Sequence, residues 1–132
     1  MTTRRFLVDT SAYSRMARGS EAIARALYDA ELVCINTVVL GELLAGFFGG
    51  TQRERNQAEF AAFLRDAQVR LLTLGPRTAE SYAVTFTALK ARGKRIPTND
   101  LWIAASAMEH GLCLITADRH FAELPFECEM VE

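Results

Sequence analysis

Four carboxylates stand apart from the others in this chain. Asp9 closes the apolar run Phe6-Leu7-Val8 and is followed by two hydroxyls, Thr10 and Ser11. Asp118 follows a second apolar run, Leu112-Cys113-Leu114-Ile115, in the segment Thr116-Ala117-Asp118. Glu42 is the only charge between Val38 and Phe48, and its i−4, i−3, i+3 and i+4 neighbours are Val38, Val39, Ala45 and Gly46. Asp100 opens Asp100-Leu101-Trp102-Ile103-Ala104-Ala105-Ser106-Ala107-Met108, where Ile103, Ala104 and Ala107 share its helical face. The acids Glu21, Asp29, Glu54, Glu59, Asp66 and Glu80 lie instead among polar neighbours. Glu42 and Asp100 are thus expected on faces that pack against a sheet, where an unpaired carboxylate is costly.

Each acid alone has a structural reading. Asp9 suits a helix N-cap, Asp100 a helix N-terminus, and Asp118 a turn. One cause common to all four is simpler than four separate ones. Two carboxylates about 4 Å apart repel by roughly 4 kcal/mol at an effective dielectric of 20, and a divalent cation removes that repulsion. His110 and His120 are the only histidines, and Cys34, Cys113 and Cys128 show no CxxC spacing. The expected donors are therefore oxygens, which favour Mg²⁺ or Mn²⁺ over zinc. Such an ion lowers the pKa of bound water and neutralises charge on a phosphoryl oxygen, which fits phosphodiester hydrolysis best.

The elements that must position these acids follow from apolar patterning. Continuous apolar runs predict strands at Phe6–Val8, Leu32–Ile35, Val69–Leu74 and Leu112–Ile115, with a weak fifth from Cys128 to Val131. Helical spacing predicts helices over Ser20–Ala30, Val38–Phe48, Thr51–Ala67, Arg77–Arg92 and Asn99–His110, the last ending at Gly111 as a C-cap. Strands of this kind alternating with helices indicate an α/β fold, a parallel sheet with helices on both faces. In that class, ligands gather at the carboxyl ends of the strands where the strand order reverses. Asp9 and Asp118 both belong to that edge.

The 132 residues, half of them hydrophobic, are read as a single domain over 1–132 with an adequate core. The formal charge of -1 excludes a globally basic, histone-like protein but leaves room for a local phosphate-binding patch. No apolar run reaches the ~20 residues of a membrane span, and the start Met1-Thr2-Thr3-Arg4-Arg5 leads into no signal-peptide core. The expected location is the cytoplasm, and the three cysteines are read as small core residues.

With these residues in hand, the chain resembles the PIN-domain ribonucleases, and within them the VapC-type toxins of toxin–antitoxin pairs. The matching stretches are Phe6-Leu7-Val8-Asp9-Thr10-Ser11, Val39-Leu40-Gly41-Glu42-Leu43, Asn99-Asp100-Leu101-Trp102-Ile103-Ala104-Ala105 and Thr116-Ala117-Asp118-Arg119-His120-Phe121. The resemblance implies a sheet of order 3-2-1-4-5. It implies an acidic quartet of Asp9, Glu42, Asp100 and Asp118 binding one or two Mg²⁺ or Mn²⁺ ions. Thr10, Ser11 and Thr116 match hydroxyl positions that would orient the carboxylates or metal-bound water. The implied activity is hydrolysis of RNA, with tRNA or rRNA as targets of similar toxins, leaving a 5′-phosphate and a 3′-hydroxyl. A small cognate antitoxin is the implied partner. The stretch from Glu127 to Glu132 matches nothing specific.

Lys90, Arg92, Lys94 and Arg95 place four cations within six residues just before Asp100. They read either as a solvated helix end or as a rim that draws RNA towards an acidic centre. Arg119 and His120 are weaker candidates for that rim. Trp102, Phe47 and Phe48 are read as core, or, if exposed, as a homodimer contact or antitoxin groove. Three other readings compete with this one. A PIN-like fold kept as a catalytically silent binding or scaffold module is opposed by the intact quartet. A receiver-type signalling domain lacks its second acid beside Asp9, its aspartate after strand three, and any lysine after Lys94. A haloacid-dehalogenase-type phosphatase is disfavoured as well, because Asp9-Thr10-Ser11 lacks the second aspartate of that motif.

Overall fold

The computed structural model describes residues 4–124 and 128–131. Met1, Thr2 and Thr3, as well as Glu127 and Glu132 of the unmatched stretch, lie outside the described residues. Five strands, β1 (Arg5–Val8), β2 (Leu32–Asn36), β3 (Val69–Leu72), β4 (Cys113–Thr116) and β5 (Cys128–Met130), form one parallel sheet in the order β3-β2-β1-β4-β5. Helices α1 (Thr10–Ala17) and α2 (Glu21–Tyr28) connect β1 to β2, and α3 (Thr37–Gly49) and α4 (Arg53–Arg65) connect β2 to β3. Helices α5 (Pro76–Ala91) and α6 (Thr98–His110) precede β4, and a 3₁₀ turn over Arg119–Glu123 follows it.

The core strands are short and buried along their length. Phe6, Leu7 and Val8 of β1, Val33, Cys34 and Ile35 of β2, and Cys113 to Ile115 of β4 are all buried. Successive side chains of a strand point to opposite faces, so both faces of the sheet are covered by helices. Edge strand β3 differs: Arg70 and Leu71 are exposed, and the strand ends at Leu72 rather than Leu74. The apolar run there overstates the strand because an edge strand needs only one covered side.

The strand order decides where a site can form. The chain moves outward from β1 to β3 and then returns to the other side of β1, which makes the β1/β4 boundary the switch point. Receiver domains have the order 2-1-3-4-5, so this sheet is not theirs. The register pairs Val8 with Ile115, which sets Asp9 opposite Thr116 at the carboxyl edge.

Local signals fix the helix ends. The side chains of Asp9, Ser20 and Asn36 accept from backbone N–H groups as N-caps of α1, α2 and α3. Helix α6 ends at Gly111, whose φ of 61° is the left-handed conformation open to glycine. Among the described residues, no helix is long and apolar enough to cross a membrane. Cys34 and Cys113 are buried, and the half-buried Cys128 packs against the core.

Candidate metal centre

Asp9 is only 3% exposed, at the C-terminal end of β1. Its Oδ1 accepts from the Ala12 N–H at 2.8 Å, and the Ser11 hydroxyl lies 2.8 and 2.9 Å from its two oxygens. The Thr116 hydroxyl donates to Oδ2 at 2.6 Å. Each hydroxyl also accepts: Ser11 Oγ from the Ala117 N–H and Thr116 Oγ1 from the Asp118 N–H, both at 2.9 Å. The two hydroxyls therefore tie the turn after β4 to the end of β1.

Glu42 reaches the same edge from α3. Thr10 Oγ1 donates to its Oε1 at 2.6 Å, and Asn99 Nδ2 donates to its Oε2 at 3.3 Å. These donors are the chain neighbours of Asp9 and Asp100, so one side chain links two of the four predicted stretches. The expectation that the Glu42 face packs on the sheet needs correction. Val39 is buried and Val38 half-buried on that face, but Glu42 is only half-buried and Ala45 and Gly46 are exposed, so the face is covered before Glu42 and open after it.

Asp100 and Asp118 are bridged by a residue that sequence reasoning assigned only to an outer rim. His120 Nδ1 lies 3.4 Å from Asp100 Oδ2 and 3.2 Å from Asp118 Oδ1. The potential ligand atoms of Asp100, Asp118 and His120 all lie within 4.8 Å of one another. The donor set is thus oxygen-dominated but not oxygen-only. His120 is set there by a tight turn in which Asp118 Oδ1 accepts from its N–H at 2.9 Å; in the sequence, only its place two residues after Asp118 hints at this.

Charge and burial act together on these groups. Burial is the main cause that pushes Asp9 above the usual carboxylate range, against the hydrogen bonds from Thr116, Ala12 and Ser11; the charge of Asp118 adds to the rise. Asp100 is pushed up to about 6, first by burial, then by Asp118 and Glu42, with His120 opposing. Among the charged groups around them, only His120 opposes the rise, and only at Asp100. Among the described residues, no lysine or arginine pairs with Asp9, Glu42, Asp100 or Asp118. Converging oxygens with raised proton affinity and no basic partner fit a divalent cation.

Asn36, the last residue of β2, ties together the elements that carry the site. Fully buried, it caps α3 through Oδ1 and donates from Nδ2 to Ser106 Oγ at 2.8 Å and to the Trp102 carbonyl at 3.3 Å. The helices carrying Glu42 and Asp100 are thereby fixed to one strand. The basic rim divides. Arg92 and Lys94 approach the Glu123 carboxylate at 3.8 and 3.9 Å, while Lys90 and Arg95 make no ion pair among the described residues. Of the three large apolar groups, Phe47 and Trp102 are half-buried; Phe48 is 51% exposed, with the Arg53 guanidinium 3.7 Å from its ring centroid.

Comparison with known proteins converges on one family. A PIN-domain family model matches residues 6–127. Ribonuclease VapC4 of Mycobacterium tuberculosis is 29% identical over 130 residues, covering 95% of each chain. The structure of VapBC2 from Rickettsia felis, bound to a DNA fragment from its promoter, matches with a TM-score of 0.83 at 22% identity, over 96% of this chain and 98% of the other. The VapBC-5 toxin–antitoxin structure from Mycobacterium tuberculosis matches with a TM-score of 0.72 at 27% identity, over 96% and 98%. Since the family model spans all four acidic positions and the fold agrees, this chain belongs to the PIN-domain family.

Proposed function

We propose that this chain is a divalent-cation-dependent endoribonuclease acting as the toxin of a toxin–antitoxin pair. The observation that carries the reading is the group Asp100, Asp118 and His120, whose candidate ligand atoms lie within 4.8 Å of one another, with Asp9 electrostatically coupled to Asp118 and Glu42 to Asp100. Relatives named as ribonucleases and as toxin–antitoxin members support the activity and the biological setting.

On this reading Asp9, Asp100 and Asp118 hold the cation, with Glu42 completing the acidic quartet from α3. Mg²⁺ or Mn²⁺ suits this set, since carboxylates outnumber the single imidazole. When bound, the ion lowers the pKa of a water and offsets charge on the scissile phosphodiester. The chain's own groups prepare the site. Ser11 and Thr116 spend their hydroxyl protons on Asp9 and fix the direction of its oxygens. Thr10 and Asn99 fix Glu42. His120 Nδ1, within 3.4 Å of Asp100 Oδ2 and 3.2 Å of Asp118 Oδ1, holds these two carboxylates side by side. Cleavage then leaves a 5′-phosphate and a 3′-hydroxyl on a tRNA or rRNA. A small antitoxin covers the cleft in the resting state, and the protein works in the cytoplasm as a homodimer.

Brief expression followed by sequencing of RNA ends tests this directly, with Asp9→Asn as control. The expected result is a set of new 5′-phosphate ends with the parent protein and none with Asp9→Asn. RNA binding without new ends would favour the silent-scaffold reading instead.

A further inference from the structure

A hollow of about 480 Å³ lies beside the acidic cluster but is not part of it. It opens between the end of α5 and the start of α6. Its wall combines the aromatic rings of Tyr82 and Phe86 with the cationic Lys90, Lys94 and Arg95. Phe86 is 46% exposed, and the two rings run nearly parallel at 12° with centroids 6.3 Å apart. Tyr82 is backed by Trp102 at 4.3 Å, which holds this wall in place. Core packing does not account for an open ring beside Lys90 and Arg95, which make no ion pair among the described residues.

We infer that this hollow receives one unstacked nucleotide of single-stranded RNA, the base against Phe86 and the phosphate against Lys90, Lys94 and Arg95. The inference deepens the nuclease reading above and rests on it for the class of substrate. A flat ring beside clustered cations is the chemistry that binds single strands, because every base has a stackable face and every nucleotide carries a negative charge. The volume lies within the range of small-ligand sites.

Position adds a second reason. Thr98 and Leu101, one turn apart on α6, line the hollow. Between them in sequence, Asn99 bonds Glu42 and Asp100 meets His120. The first turn of α6 therefore separates the hollow from the acids, and a strand seated in one passes directly to the other. A nucleotide fixed here sets which neighbouring phosphodiester reaches the acidic edge. Tyr82, Phe86 and Arg95 thereby position the strand for cleavage whatever the base.

The test uses single-stranded RNA carrying 2-aminopurine, titrated onto full-length Asp9→Asn protein so that no cleavage intervenes. Stacking should quench the fluorescence. Phe86→Leu keeps apolar volume but removes the ring, and should abolish the quench and weaken binding about tenfold. Arg95→Gln should lower the slope of log affinity against log salt by about 0.7, the loss of one phosphate contact on a single strand. Val84→Ala, on the same helix but outside the hollow, should change neither. Quench, affinity and salt slope all unchanged in Phe86→Leu and Arg95→Gln would overturn the inference. So would a Phe86→Leu protein that loses self-association while binding RNA normally, which would make the face a contact between copies. The two proposals fail separately. A parent protein that cuts no RNA, with the Phe86-dependent quench intact, sinks the nuclease reading alone; intact cleavage with no effect of either substitution sinks only the hollow.

Discussion

At the scale of single residues, Asp9 shows which force wins in the site. It accepts from two hydroxyls and one amide, each of which favours the carboxylate, yet burial raises its proton affinity. The hydrogen bonds orient a group that still lacks charge compensation. Asp9→Asn should therefore lower cleavage at least about 100-fold while leaving the far-ultraviolet circular dichroism unchanged. Thr116→Val keeps the shape and removes one donor, and should cost about 10- to 100-fold in metal affinity or activity. Isothermal titration with Mn²⁺ separates that loss from a folding defect.

The raised values of Asp9 and Asp100 also fix a pH dependence. Between the ordinary aspartate pKa of 3.8 and about 6, the folded protein holds protons on Asp100 that the unfolded chain has released. Without added metal, stability from this group is complete below pH 4 and is lost as pH rises through 6. Asp9 acts in the same direction. Thermal melts of the metal-free protein should show this decline between pH 4 and 7, and saturating Mn²⁺ should reverse its slope, since the cation binds the carboxylates only after their protons leave. At this scale the sequence singles out the acids proposed for the site. The four acids were visible because each breaks an apolar pattern or ends a strand. His120 was not, since its partners come from α6 and from Asp118 through a turn that no periodicity signals.

At the scale of elements, the site depends on caps and register more than on helix propensity. Asn36 joins β2, α3 and α6 through three hydrogen bonds, although it lies outside the acidic cluster. Asn36→Ala removes a cap and leaves Ser106 short of a buried partner, which should cost about 2–3 kcal/mol. Urea unfolding measures it, and activity should fall as well because Glu42 and Asp100 lose their common anchor. The buried strands β1, β2 and β4 were legible as apolar runs, and Gly111 as the end of α6. Edge strand β3 was overextended to Leu74, because an apolar run does not tell an edge from a centre. The Glu42 face was half misread for a related reason: Val39 on it is buried, but small apolar residues such as Ala45 and Gly46 occur as readily on an exposed face as on a packed one.

At the scale of the whole molecule, the order β3-β2-β1-β4-β5 is what turns distant residues into neighbours. Asp9 and Asp118 lie at the ends of adjacent central strands, and the helices on either side of the switch point bring Glu42 and Asp100 to the same edge. Alternating strands and helices indicated a parallel sheet, but only the resemblance supplied its order, because pairing between distant strands leaves no trace in periodicity. The account rests on one physical claim, that this edge holds a hard cation. A crystal of the Mn²⁺-soaked protein, measured at the manganese absorption edge, tests it most directly. The account predicts an anomalous peak at roughly 2.1–2.2 Å from carboxylate oxygens of Asp9, Asp100 and Asp118, absent in Asp9→Asn. Saturating Mn²⁺ with no peak at this edge, or a peak that Asp9→Asn leaves untouched, would contradict it.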